Sequence, residues 1–215
     1  MMNSSTALLS TTYFGPVQWY QKLYRYDHVL IEAHESFQKQ TYRNRCIIAT
    51  AQGVQALTVP VISECRVDSV EFALISDHGN WRHQHWQAIT SAYGDSPFFE
   101  YYEDDLRPFF FERKWERLLD FNEDIRRKMC ELLDISPNVE LTKEYLKKDS
   151  SVEGQQQSDQ PDDFRDAIRP KHPLPDPDFI AQPYYQVFAQ RHGFLPNLSI
   201  LDLLCNMGPE GIFYL

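Results

Sequence analysis

The chain has 215 residues, 42% hydrophobic and 14% aromatic, with 21 Lys and Arg against 31 Asp and Glu and a formal net charge of −10. That length and apolar content support a sizeable core and exclude a chain disordered throughout; the acidic balance argues against a nucleic-acid partner. No apolar run reaches the roughly 18 residues of a transmembrane segment, and "MMNSSTALLSTTYF" lacks the charged leader of a secretion signal, so a cytoplasmic protein is expected.

"TALLSTTYF" reads as a strand, ended by Gly15-Pro16. "PVQWYQKLYRY" follows as a helix with Pro16 in its first turn and Val17, Tyr20, Leu23 and Tyr24 on one face. "HVLIEA" is a second strand, so the chain opens strand, helix, strand, the beginning of an α/β layer. "RCIIAT" and "QALTVPVI" form a hairpin about "AQG". "VDSVEFALI" reads as a further strand, "SDHGNWRHQHWQAITSAYG" as a helix stopped by Gly94, and "PFFEYYEDDLRPFFF" as helical up to Pro108. "KWERLLDFNEDIRRKMCELLDI" carries the clearest apolar stripe, through Trp115, Leu118, Leu119, Ile125, Met129, Leu132 and Leu133.

Residues 149–178 change character, with eight acids, three bases and five prolines. The composition predicts a flexible acidic loop. "NLSILDLLCNMG" then reads as a final helix capped by Asn197 or Ser199 and ended by Gly208, with Ile200, Leu203 and Leu204 on its apolar face. The expected fold is α/β: a single domain, a mixed sheet with packed helices and a flexible acidic loop. The main part is residues 1–148, the loop 149–178, and a C-terminal helix in 179–215 packs back on the rest. Cys46, Cys65, Cys130 and Cys205 are scattered, without the spacing of a metal site, and read as reduced, buried thiols.

No phosphate loop, GxGxxG, GxSxG, HExxH or CxxC is present. Three places carry candidate chemistry. In "KQTYRNR", Arg43 and Arg45 alternate on a segment entering a strand, so both guanidiniums can face a carboxylate or phosphate while Asn44 points the other way; the same pattern also suits solvated cations at a strand end. In "WRHQHWQAITSAY", Trp81, His85 and Ile89 share one stripe, and His85 is either a general base or a packed histidine. Asp202 lies among leucines and either pairs with Arg43 or Arg45 or faces water. Gln186, in an aromatic context, is a ligand contact or a backbone pin.

The blocks "FQKQTYRNRCII", "ALTVPV", "WRHQHWQAITSAYGDSPFF" and "YYQVFAQRHGFLPNLSILDLLCNMG", in that order and spacing, resemble the WbqC-like protein family. The resemblance implies a role in cell-surface polysaccharide (O-antigen-type) biosynthesis, with aminoacyl (glycine) transfer to an amino sugar as the suggested reaction. It highlights Lys39, Asn44, Arg45, Thr58, Pro60, Trp81, His85, Tyr93, Gln186, Ser199, Asp202 and Asn206. On that reading Lys39 and Arg45 hold an acyl carboxylate or a nucleotide-sugar phosphate, and Arg43 is a further substrate-binding residue. Asn44 and Gln186 orient the acceptor, Thr58, Tyr93 and Ser199 also bind substrate, His85 is the base, and Asp202 orients His85 or balances Arg45. The resemblance points to a small-molecule partner, a nucleotide sugar or an aminoacyl donor, and names no cofactor or metal. Two departures stand out: Leu9-Ser10-Thr11 where family members carry a His-Gln-Pro-like tripeptide, and "AHES", residues 33–36, with His34 where an acid is usual. They leave a rival reading open, a non-catalytic binding or scaffold protein that docks a partner through residues 149–178.

Overall fold

The computed structural model describes residues 5–62, 69–147 and 160–215. β1 (Thr6–Ser10), α1 (Val17–Arg25) and β2 (His28–Glu32) form a strand–helix–strand unit. β1 and β2 pair in parallel, from Thr6 opposite His28 to Ser10 opposite Glu32. Ala7, Leu8 and Leu9 are all buried, as suits a parallel strand covered on both faces. β5 (Val139–Leu141) extends the sheet in parallel from β2 and β6 (Asp162–Asp163) from β1, giving the order β5-β2-β1-β6. β3 (Arg45–Thr50) and β4 (Gly53–Thr58) make a separate antiparallel hairpin, with Gly53 at φ 113° after the turn. The protein is thus a mixed α/β domain with one parallel and one antiparallel sheet.

On α1 the buried face is Val17, Trp19, Tyr20 and Leu23, while Tyr24 turns outward. Trp19 takes the place expected of Tyr24 because its indole N–H reaches the carbonyl of Ser10, 2.9 Å away. The strand expected in "VDSVEFALI" is not formed over its described part. Val70–Phe72 is a 3-10 turn, whose cap Ser69 accepts from the Glu71 N–H. The N–H groups of Val70 and Glu71 go to the carbonyls of Glu35 and Ala33, just beyond β2, so this segment braces the end of β2 instead of adding a strand.

α2 (Trp81–Tyr93) stops at Gly94, α3 (Phe99–Leu106) runs into α4 (Pro108–Phe111) with Pro108 at its first position, and α5 is Leu118–Leu132. Trp115 precedes α5 and donates its indole N–H to Asp124. After α6 (Ala189–His192), α7 (Ile200–Met207) is capped by Ser199 and ended by Gly208 at φ 56°. Its start is stitched to both sheets' surroundings: Ser199 N–H bonds the Ile47 carbonyl, and Ile200 N–H bonds the Gly15 carbonyl.

Residues 149–159 of the acidic segment lie outside the described residues. Residues 160–178 include β6 and a buried clasp in which Asp176 bonds the Lys22 ammonium of α1 at 2.8 Å, with side-chain exposures of 3% and 1%. Cys46, Cys130 and Cys205 are buried free thiols, and Cys65 lies outside the described residues. Among the described residues no helix is long and apolar enough to cross a membrane.

Candidate functional site

All four strands of the larger sheet are parallel, so their carboxyl ends lie along one edge. Ligands of open α/β sheets bind outside that edge. Here it opens into a cavity of about 330 Å³ lined by His34, Glu35, Ser36 and Gln38 after β2, Arg43 before β3, Tyr145 after β5 and Asp166 after β6. A water-sized cleft of about 10 Å³ shares Arg43 and is lined by hydroxyls of Ser10, Thr11, Thr12 and Thr41. Thr12 Oγ1 is buried there without a hydrogen-bond partner.

The walls are fixed by ion pairs. Arg43 donates from Nε to Glu35 Oε1 at 2.7 Å and from its terminal nitrogen to Glu35 Oε2 and to Ser10 Oγ, the last at 3.0 Å. Asn122 of α5 donates to the Arg43 carbonyl and to Thr11 Oγ1, so the longest helix holds this pair in register. Glu32, fully buried at the end of β2, gathers Thr142 Oγ1, the backbone N–H groups of His34 and Leu146, and Arg165. One carboxylate thereby ties the loops after β2, β5 and β6 together. Arg165 is also bound to both oxygens of Asp163. His34 places Nδ1 3.1 Å from Glu71 and Nε2 3.0 Å from the Thr142 carbonyl. Both partners are hydrogen-bond acceptors.

The residues singled out in the sequence are dispersed. Arg43 alone among them lines the cavity. Lys39 is exposed and follows Gln38, which lines the cavity, in the chain. Arg45 does not join Arg43 in a fork: it is half-buried and donates to Thr58 Oγ1 across the hairpin. Asn44 pins the Val59 carbonyl at 2.8 Å, leaving its own Oδ1 unpartnered. His85 is buried, 2.9 Å from the Tyr13 hydroxyl and edge-on to Trp81. Desolvation pushes its pKa down to about 4, against a smaller opposing effect of its hydrogen bond with the Thr58 backbone.

Asp202 bonds neither His85 nor an arginine. Its Oδ2 accepts from the Tyr184 hydroxyl at 2.7 Å and from Gln186 at 2.8 Å. Burial raises its pKa to about 6, partly offset by the hydrogen-bond donors around it. Asp202 Oδ1 and the Tyr93 hydroxyl both lack a hydrogen bond of ordinary geometry, although Tyr93 is close enough to favour the carboxylate. Gln186 also clasps the Leu195 backbone through both N–H and carbonyl. Ser199 donates to the Phe14 carbonyl at 2.7 Å, and Asn206 bonds the Asp202 carbonyl and the Val187 N–H. These side chains tie the C-terminal segment and α7 together.

The cavity residues that sequence reasoning passed over are Glu35, Ser36, Gln38, Tyr145 and Asp166. His34 carried a signal, as the oddity of "AHES", but no role. Among the described residues no three His, Cys, Asp or Glu side chains are grouped to hold a metal.

The model of the WbqC-like protein family matches residues 11–162, more than half of the chain. An uncharacterized protein of Mycobacterium tuberculosis, Rv1507c, is 28% identical over 206 residues, covering 88% of this chain and 87% of that protein. No solved structure matches.

Proposed function

The chain belongs to the WbqC-like protein family, and on that premise we propose that it binds a small polar ligand at the carboxyl edge of its parallel sheet and acts as a transferase of cell-surface polysaccharide (O-antigen-type) biosynthesis. Aminoacyl (glycine) transfer to an amino sugar is the reaction class this reading favours. The observation that carries it is the cavity of about 330 Å³ with His34, Glu35, Arg43, Tyr145 and Asp166 in its walls. That size lies at the small end of ligand pockets and suits a sugar ring or an amino acid. Hydroxyl and amine groups find acceptors in Glu35 and Asp166, and the Tyr145 ring offers a face to stack on. Asp166, on the cavity wall, takes the proton of the attacking amine or hydroxyl.

A second reading, ligand binding without chemistry, is favoured by the absence of any cysteine among the described lining residues and by burial that pushes the Cys46 and Cys205 thiols up. A protein partner docking through residues 149–178 belongs to that reading.

The test is thermal unfolding of the wild type, Asp166→Asn, Tyr145→Ala and Arg45→Ala with nucleotide sugars, amino sugars and amino acids. A ligand at 100 times its Kd adds about 2.7 kcal/mol. Stabilisation lost in the first two variants and kept in Arg45→Ala places binding in the cavity, and a transfer assay with that ligand then separates enzyme from binder. Stabilisation lost in Arg45→Ala alone returns the site to the entrance of β3.

A further inference from the structure

On a chain of net charge −10, two cations of one segment reach across to the glutamines beside the cavity, and a third cation lies between those glutamines in the chain. Arg169 donates to Gln38 Oε1 at 2.8 Å and to Asp166 Oδ1 at 3.0 Å. Lys171 donates to Gln40 Oε1 at 2.8 Å. Lys39 stands exposed between these two glutamines. Gln38 and Asp166 themselves line the cavity, so the group is continuous with it.

We propose that Lys39, Arg169 and Lys171 form a phosphate-binding rim, and that the ligand is a phosphate-bearing small molecule of the sugar-nucleotide type, whose uncharged end enters the cavity. The assignment of ligand class rests on the cavity reading above. The contrast with the deeper cations supports it. Arg43 and Arg165, with side-chain exposures of 5% and 1%, are locked by carboxylates and cannot turn outward without leaving a buried charge unpaired. Arg169, paired with Asp166 on one nitrogen, is 33% exposed and gives the other to a neutral amide, as Lys171 does. A phosphate oxygen replaces an amide oxygen with a charge-assisted bond, and the displaced glutamines keep N–H groups to donate. Backbone conformation on both sides of the rim agrees: Gln40 at φ 60° and His172 at φ 49° are held in the left-handed region, a costly arrangement for residues other than glycine that clusters at ligand clamps.

The experiment is calorimetric titration of the whole protein with inorganic pyrophosphate at fixed ionic strength. The panel is the wild type, Arg169→Gln, the double variant Lys39→Ala with Lys171→Ala, and Arg127→Gln, which removes one positive charge from a side chain 67% exposed on α5. Circular dichroism melts confirm that each is folded. The rim predicts affinity about tenfold weaker in Arg169→Gln, weaker again in the double variant, and unchanged in Arg127→Gln. Equal affinity in the wild type and Arg169→Gln, no binding to the wild type, or an equal loss in Arg127→Gln overturns it. The cavity is read separately, by uncharged sugars and amino acids on the wild type and Asp166→Asn. Cavity binding without pyrophosphate binding removes the rim and keeps the cavity. Pyrophosphate binding that needs Arg169, with no ligand stabilising the cavity, keeps the rim and removes the cavity reading.

Discussion

Asp202 and His85 are buried ionisable groups whose titrations pull stability in opposite directions. Burial holds the Asp202 carboxyl at about 6, above its unfolded value, so its contribution is present at low pH and is lost as pH rises through 6. Burial holds the His85 imidazole down at about 4, so its contribution is present above about 6.5 and is lost as pH falls through 4. Each is worth on the order of 3 kcal/mol, and between pH 4 and 6 they largely cancel. Asp202→Asn keeps an acceptor for Tyr184 and Gln186 but removes one side of the balance. Urea unfolding of that variant at pH 4, 5, 6 and 7 is expected to show a steeper acid loss than the wild type. His85→Gln is expected to show the reverse slope, stability declining from pH 4 to 6. Parallel profiles for all three proteins would remove both assignments.

At the level of elements, the ends of helices and the attachment of the acidic segment decide most. Ser199→Ala deletes the cap of α7 and leaves the Phe14 carbonyl without its donor. A loss of roughly 2–3 kcal/mol is expected, read from the urea midpoint. Asp176→Ala strands the Lys22 ammonium in a site 1% exposed, and a loss of about 3–5 kcal/mol is expected, with faster proteolytic nicking in residues 160–178. Replacing both partners, Lys22→Met with Asp176→Leu, is expected to recover most of it; failure to recover would mean that the pair acts through something other than a buried unpaired charge. The same elements show what a sequence discloses. β1, β2, the β3–β4 hairpin, α2 with Gly94, and α7 between Ser199 and Gly208 are legible because apolar runs, stripes and caps are local signals. The turn at Val70–Phe72 is not: β-branched and apolar residues there read as strand, while the cap at Ser69 and the carbonyls beyond β2 win the backbone N–H groups. β6 is invisible for another reason, since two aspartates join the sheet through backbone alone.

For the whole molecule, the candidate site is the least legible part. Its walls come from residues 34–36, 38, 43, 145 and 166, which share no spacing, and only the topology of a parallel sheet brings their loops to one edge. Conspicuous polar residues in apolar surroundings, such as His85, Asp202, Gln186 and Asn206, draw attention in the sequence, yet in the folded chain His85 bonds Tyr13 and the other three bond one another, Tyr184 and the backbone. Arg43 is the exception because a strand entrance and the sheet edge coincide there.

The joining of α7 to the first turns of the chain bears on how the protein is made. Ser199 reaches Phe14 across 185 residues, and β1 lies inside the sheet between β2 and β6. At about 5–20 residues per second of synthesis, the N-terminal strand therefore waits roughly 10 to 40 s on the ribosome before its last neighbours emerge. Throughout that interval its apolar run "ALL" and the aromatic residues after it are incompletely covered, and chaperones have a window in which to hold them.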